Sequence, residues 1–325
     1  MSIPDPVLVI QTAFLGDVIL TLSVAQVLRS LEPGLPVDMM VVPRTAAVLT
    51  GHPDIRETLI YDKRGADAGV GGFFRMMKEV KRRGYGCALV PHRSLRSALL
   101  ARMAGIPVRV GFDTSAGSML FTRIVPYGGE LHEIARNLRL LEALGVDRPA
   151  HVAPRLYPTA EQKKTVSGFL AAFEGAPSAP LIAIAPGTVW NTKRWPPERF
   201  ATLAGGLVSR GYGVILVGGV EDAGLCREIA AAGGGIRIMN ACGKFPVLGS
   251  AELIRRSALL VCNDSAPLHL ATAVGTPILA IFGATIPGFG FGPTGPRDAV
   301  METGGLSCRP CSIHGGDRCP VGTFE

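Results

Sequence analysis

Short continuous apolar runs alternate with stretches of helical spacing along the whole chain. Residues 7–12 (VLVIQT) form the first such run, and residues 37–42, 58–61, 87–91 and 108–111 follow. A run of this kind, with no polar alternation, predicts a strand buried on both faces, as in a parallel sheet. Between the runs, residues 18–31, 72–83, 94–104 and 132–144 carry apolar side chains at helical spacing, and the last of these is predicted to stop at Gly145.

The pattern then breaks. Residues 147–158 are rich in proline and have no period. A helix is predicted over 159–173, because its opening TAEQ has the form of a capping box, and residues 174–180 (EGAPSAP) read as a linker. The alternation resumes with strands predicted over 181–185, 213–217, 236–239, 259–262 and 277–282. Helices are predicted over 197–210, 221–232, 249–256 and 266–274. Two doubly wound α/β domains are therefore expected, at 1–155 and 181–325, with 156–180 as helix and linker. In such sheets ligands bind at the carboxyl ends of the strands, and two domains facing each other would bring both edges to one cleft.

Composition supports buried cores and excludes a disordered chain: 47% of the 325 residues are hydrophobic and 18% are charged. The formal charge of +7 favours anionic partners, whereas dispersed basic residues and 6% aromatics argue against nucleic acid. No Lys or Arg precedes the first apolar run, so a leader is not expected and the chain reads as cytoplasmic. The longest uncharged stretch, 265–296, is interrupted by Pro267, Pro277, Pro287 and Pro293 and is not read as a membrane span.

Four strand ends carry candidate chemistry. After the first strand comes TAFLGD, whose Asp17 reads either as a helix cap or as an ionised carboxylate able to accept a proton. With one glycine, this turn does not match GxGxxG and so weakens an oxidoreductase reading. APGTVWNTKRW follows the strand at 181–185. Its Thr188, Thr192, Lys193 and Arg194 offer the hydroxyls and cations that suit a diphosphate. VGGVED follows the next strand, with Glu221 placed either to take ribose hydroxyls or to serve as an ordinary helix N-terminal acid. CNDSAPLH opens a helix at which Asp264 or Ser265 can cap and Pro267 fits the first turn. The free N–H groups of such a start favour an anion. His269, inside that helix, reads as packed rather than catalytic.

Lys63, Arg64, Arg93, Arg96 and Arg123 sit near predicted strand ends as candidate anion contacts, against the plain reading of solvated charge. Cys308, Cys311, His314 and Cys319 supply enough ligands for zinc, but their spacing is not a standard zinc pattern, so reduced thiols or a labile disulfide is the preferred reading. Cys87, Cys226, Cys242 and Cys262 read as core residues.

These segments, in this order, resemble the bacterial lipopolysaccharide heptosyltransferases of glycosyltransferase family 9, with the heptosyltransferase II branch as the nearest likeness. PGTVWNTKRWP and NDSAPLH are the specific parts, and HRSLRSALLARMAGIPVRVGF and HEIARNLRLLEALG also look like that family. The resemblance covers nearly the whole chain. It implies a GT-B fold of two Rossmann-like domains, the first binding acceptor and the second nucleotide sugar. It further implies inverting transfer of L-glycero-D-manno-heptose from ADP-heptose to the lipopolysaccharide inner core.

Carried over by motif, Asp17 would be the general base. Thr188 and Lys193 would hold the diphosphate, and Glu221 the adenosine ribose. Ser265, Ala266 and Pro267 would form the backbone phosphate site, supported by Asp264, and Phe245 would fall near the adenine pocket. No metal or other cofactor is implied, since a single displacement needs only cations or dipoles at the leaving group. The acidic lipid acceptor would bring peripheral contact with the cytoplasmic membrane face. One departure is that the chain stops at Glu325 without the final helix that some members pack back on the first domain, which leaves truncation or a different closure open. Two alternatives stay open: a family 9 transferase with another nucleotide sugar or acceptor, and a non-catalytic nucleotide-sugar binder.

Overall fold

The computed structural model describes residues 3–147, 152–172, 180–234, 237–319 and 321–322. It divides into two compact units, Met1–Arg155 and Leu156–Glu325. Most of the linker predicted at 174–180 lies outside the described residues.

Unit 1 runs β1 (Val7–Ile10), α1 (Leu15–Leu31), β2 (Val37–Val41), α2 (Pro43–Ala46), β3 (Glu57–Ile60), α3 (Gly69–Arg82), β4 (Cys87–Val90), α4 (Leu95–Met103), β5 (Val108–Phe112), β6 (Arg123–Val125) and α5 (Glu133–Glu142). Its six strands are all parallel, in the order β3-β2-β1-β4-β5-β6. Unit 2 runs α6 (Ala160–Ala171), β7 (Leu181–Ala185), α7 (Pro197–Ser209), β8 (Gly213–Leu216), α8 (Ala223–Ala232), β9 (Ile238–Asn240), α9 (Val247–Arg255), β10 (Leu259–Asn263), α10 (Ala266–Val274), β11 (Ile278–Phe282) and β12 (Ala299–Glu302). Its sheet, β9-β8-β7-β10-β11-β12, is also wholly parallel and has the same order as the first.

Strands β1, β4, β7 and β8 are apolar throughout because helices cover both of their faces. All four residues of β1 are fully buried between β2 and β4. Each such Val, Leu or Ile contributes about 1.5–3 kcal/mol of burial. Helix α1 is buried almost all round from Gly16 to Leu28, because it lies between the sheet and α5. The capping box at α6 forms as its sequence predicts, with Gln162 N–H donating to Thr159 Oγ1 and Thr159 N–H to Gln162 Oε1. Helix α6 packs on α9 and so belongs to the body of unit 2.

Several elements depart from the periodicity. Helix α2 and the edge strands β6 and β12 are not predicted; β6 and β12 are short and largely exposed, so no buried apolar run marks them. The strand predicted at 236–239 lies at Ile238–Asn240, and residue 236 lies outside the described residues. Cys226 and Cys242, read as core residues, are buried and form a disulfide between α8 and the segment after β9. Their Cα atoms are 6.6 Å apart, a proximity that only the α8–β9 packing creates. Among the described residues no helix is long and apolar enough to cross a membrane.

Candidate active site

The reversal of strand order falls between β1 and β4 in unit 1 and between β7 and β10 in unit 2. The crevice outside the carboxyl ends of such a pair is where doubly wound folds bind ligands.

In unit 1, Thr12 follows β1 and His92 follows β4, and Thr12 Oγ1 lies 3.0 Å from His92 Nδ1. Lys63, beyond β3, donates to Thr12 O at 2.8 Å and to Thr12 Oγ1 at 3.2 Å. Burial lowers the Lys63 pKa, and Arg64, Arg96 and Arg44 lower it further. His92 is pushed down to about 4 by burial and by Lys63 and Arg93, so its imidazole is neutral at pH 7. This edge is a concentration of positive charge.

Asp17 is not the N-cap of α1. That position is Phe14, whose N–H donates to Asp17 Oδ2 at 3.1 Å. The carboxylate reaches back from the third helical position and stays half-buried at the sheet edge. Behind it stands a cluster of which the residue-type reading marked only Arg93. The Arg93 and Arg136 guanidinium carbons lie 4.4 and 4.3 Å from the Tyr127 ring centroid. Arg136 is buried and pairs with Glu133. It also donates to the carbonyls of Gly128, Gly129 and Leu131, which holds the loop before α5. Burial raises the Glu133 pKa to about 7; Arg136 opposes that shift and Asp17 adds to it. His92 was open to discovery, since it stands directly beyond a predicted strand. Glu133 and Arg136 were not, because they look like ordinary helix charges.

Two of the basic candidates have other work. Arg96 donates to the Tyr61 hydroxyl and to the carbonyls of Asp67 and Gly69, so it braces the loop before α3. Arg123 begins β6 and donates to Ala143 O at the C-terminal end of α5, with Cys87, the first residue of β4, in its field. It therefore lies at the opposite edge of the sheet from Asp17. Arg64 is exposed on the Lys63 side.

In unit 2 the loop after β7 meets the loop after β10. Lys193 Nζ lies 2.6 Å from Asp264 Oδ2, and the buried Thr285 hydroxyl donates to the same oxygen at 2.7 Å. Asn263, at the end of β10, locks the two loops together: its Oδ1 accepts from Trp195 N–H and its Nδ2 donates to Pro186 O. Ser265 occupies the N-cap of α10, with Ala266 and Pro267 opening the first turn, and makes no side-chain cap bond. Asp264 does not cap either, because its carboxylate is turned to Lys193. A cation and a helix N-terminus thus share one strand-end crevice, an arrangement suited to a phosphate.

Thr188 donates to Trp190 O within its own loop, and Arg194 donates to Thr188 O. Thr192 is buried, and its hydroxyl accepts from Gly316 N–H at 2.7 Å while its own N–H donates to Gly316 O. It clasps the C-terminal segment to the loop, so its hydroxyl is already engaged. Glu221 is exposed in the turn beyond β8. Its neighbour Asp222 accepts from Gly219 N–H, and burial raises the Asp222 pKa. Phe245 packs edge-on against Phe169 of α6, and His269 is buried against Phe291.

Cys308, Cys311 and Cys319 line a half-open pocket with Thr192 and Arg309. His314 is exposed on the loop that Thr192 holds. Among the described residues no three His, Cys, Asp or Glu side chains gather to hold a metal ion.

The family model for glycosyltransferase family 9 (heptosyltransferase) matches residues 73–316, which is most of the chain. The chain belongs to glycosyltransferase family 9. Among family 9 relatives, lipopolysaccharide heptosyltransferase 2 of Salmonella typhimurium is 27% identical over 87% of this chain and 84% of its own length. The solved family 9 glycosyltransferase of Veillonella parvula is 26% identical, with a TM-score of 0.85 over 93% of this chain and 87% of that one. The ADP-heptose lps heptosyltransferase II of E. coli shares the fold, with a TM-score of 0.78 at 24% identity over 91% and 90% of the two chains. The two Rossmann-like units are thus those of a GT-B glycosyltransferase.

Proposed function

We propose that this family 9 glycosyltransferase moves L-glycero-D-manno-heptose from ADP-heptose to the inner core of lipopolysaccharide, with inversion. The observation that carries the reading is the Lys193 ammonium held beside the N-terminus of α10 in a chain of this family. The names of the relatives supply the sugar and the donor.

In this reading unit 2 (here the region 181–325) binds the nucleotide sugar. Lys193 and the first turn of α10 at Ser265, Ala266 and Pro267 take the diphosphate, with Asp264 orienting Lys193. Thr188 flanks the phosphates and Glu221 takes the ribose. Thr192 acts indirectly, by fixing the loop. Unit 1 binds the acceptor, whose phosphates are met by Lys63, Arg64 and Arg93. Arg96 positions the loop behind them, and Arg123 has no part.

The displacement is a single step. The acceptor oxygen forms its bond to the anomeric carbon as the bond from that carbon to the β-phosphate oxygen breaks. The electron pair leaves with ADP, where Lys193 and the helix dipole stabilise it. The hydroxyl proton goes to Asp17. The acceptor is a lipid-linked core precursor, so the enzyme works at the cytoplasmic face of the membrane.

The test is thermal stability with ADP, UDP, GDP and NAD, followed by transfer from ADP-heptose to a truncated core. Ligand at a hundred times its Kd adds about 2.7 kcal/mol to the folded state. Selective stabilisation by ADP and a product one heptose heavier are expected. Preference for another nucleotide overturns the donor assignment.

A further inference from the structure

Helices α3 and α4 cover the same face of the first sheet and pack against each other. Their inner sides, including Phe73, Met76, Val80, Ala98 and Ala101, join one buried core with the strands. Their outer sides mix apolar side chains with cations: α3 exposes Arg75, Lys78, Lys81 and Arg82, and α4 exposes Arg102. Helix α3 exposes Val70 and Phe74, one turn apart, with Val70 72% exposed. Helix α4 exposes Leu95, Leu99 and Met103 at four-residue spacing. The turn at Ser118–Leu120 lies against α4, where a Cβ at Gly117 would meet Leu95, and it lifts Met119 out at 88% exposure. Single exposed apolar residues need no explanation, but a contiguous set on adjacent elements marks a docking surface.

Charge selects the occupant. Residues 63–103 hold ten Lys and Arg against two acids, an excess of eight, whereas the whole chain has an excess of seven. Both acids are already engaged, Asp67 by Arg75 and Glu79 by Arg82 and Arg83. The exposed Lys78, Lys81 and Arg102 flank the apolar side chains. Lysine is depleted in protein–protein interfaces, but it is favoured at a lipid surface, where its stem lies on apolar groups and its ammonium meets the headgroups.

We propose that the outer face of α3 and α4, with the turn at Met119, docks this enzyme on an anionic lipid bilayer. The apolar side chains enter the headgroup boundary, and Lys78, Lys81 and Arg102 among them bind the lipid phosphates. The proposal rests on the transferase reading for its lipid-linked acceptor and names the surface involved; its test needs no nucleotide, sugar or acceptor, so it can fail while transfer stands.

The experiment is co-sedimentation of the full chain with phosphatidylcholine vesicles, with and without phosphatidylglycerol. The variants are Val70→Ser/Phe74→Ser/Leu99→Ser/Met119→Ser and Lys78→Glu/Lys81→Glu. All six positions are exposed, and unchanged thermal unfolding confirms that both variants fold. The expected result is binding only to the anionic vesicles, weakened at high salt, with partitioning reduced about tenfold or more in each variant. No binding to anionic vesicles at low salt overturns the proposal. So does binding that neither variant reduces, or self-association through this face without vesicle binding.

Discussion

Lys193 Nζ and Asp264 Oδ2 stand 2.6 Å apart, and they come from loops after β7 and β10, neighbouring strands whose residues are some seventy positions apart in the chain. Both side chains are largely withdrawn from solvent, so the pair orients the ammonium at the cost of desolvating two charges. Lys193→Ala is expected to lower kcat/KM for the donor by about a hundredfold, the usual loss for one oxyanion-stabilising donor. It also leaves the Asp264 carboxylate with Thr285 as its remaining side-chain donor in that pair of contacts. The single variant should therefore lose about 1–3 kcal/mol of stability. Adding Asp264→Asn should recover part of the stability and none of the rate, which chemical denaturation and initial-rate measurements would show. Recovery of the rate in the double variant would count against a role for Lys193 at the leaving group.

Asp17→Asn keeps an oxygen that can accept the Phe14 N–H, so α1 should start where it does now. The proton acceptor is gone. Transfer is expected to fall by about 10²–10⁴-fold, with ADP binding unchanged by calorimetry. Wild-type turnover in this variant would remove Asp17 as the base.

His92 makes stability depend on pH in one direction. Its folded pKa is about 4, below the ordinary 6.5, because it is buried beside Lys63 and Arg93. The unfolded chain binds the proton more readily. The contribution of neutral His92 is therefore fully present above pH 6.5 and is lost as pH falls through 4, on the order of 3 kcal/mol in all. His92→Asn should flatten the unfolding free energy across that window.

Glu133 acts in the opposite direction. Its pKa is raised from 4.5 to about 7, so the folded state holds the proton that the unfolded state releases. Its contribution is fully present below pH 4.5 and is lost as pH rises through 7. Glu133→Gln should remove that slope, although it also costs Arg136 its ion-pair partner. Denaturant midpoints measured between pH 5 and 8 would show it, and a slope unchanged in the variant would rule out Glu133 as its source.

Thr192→Val removes the acceptor for Gly316 N–H while keeping the shape of the side chain. The loss should be about 1–2 kcal/mol, from one half-buried donor left unpaired. The C-terminal segment should exchange its amide hydrogens faster, and hydrogen exchange by mass spectrometry reads this directly.

Much of this protein was legible from pattern alone. Continuous apolar runs such as VLVIQT and LIAIA, short and bounded by turn residues, suit strands covered on both faces, and both fall in parallel sheets. The edge strands β6 and β12 escaped because an edge has little to bury and its residues carry no such signal. The candidates Asp17, Lys193, Glu221 and Ser265 were singled out because strand ends in a doubly wound fold are where ligands sit.

What the sequence determined by itself is therefore local: which segments become strands, where helices start, and which residues stand at strand ends. Tertiary structure alone decided the pairings. It set Lys193 on Asp264, closed Thr192 onto Gly316, joined Cys226 to Cys242, and sent Arg123 to the far edge of its sheet. It also placed Glu133 and Arg136 in the interior behind Asp17. The reason is physical: periodicity records how much of each residue is buried, whereas the partner of a charge depends on which strand lies next in the sheet, and strand order is set by crossovers that bring distant segments together.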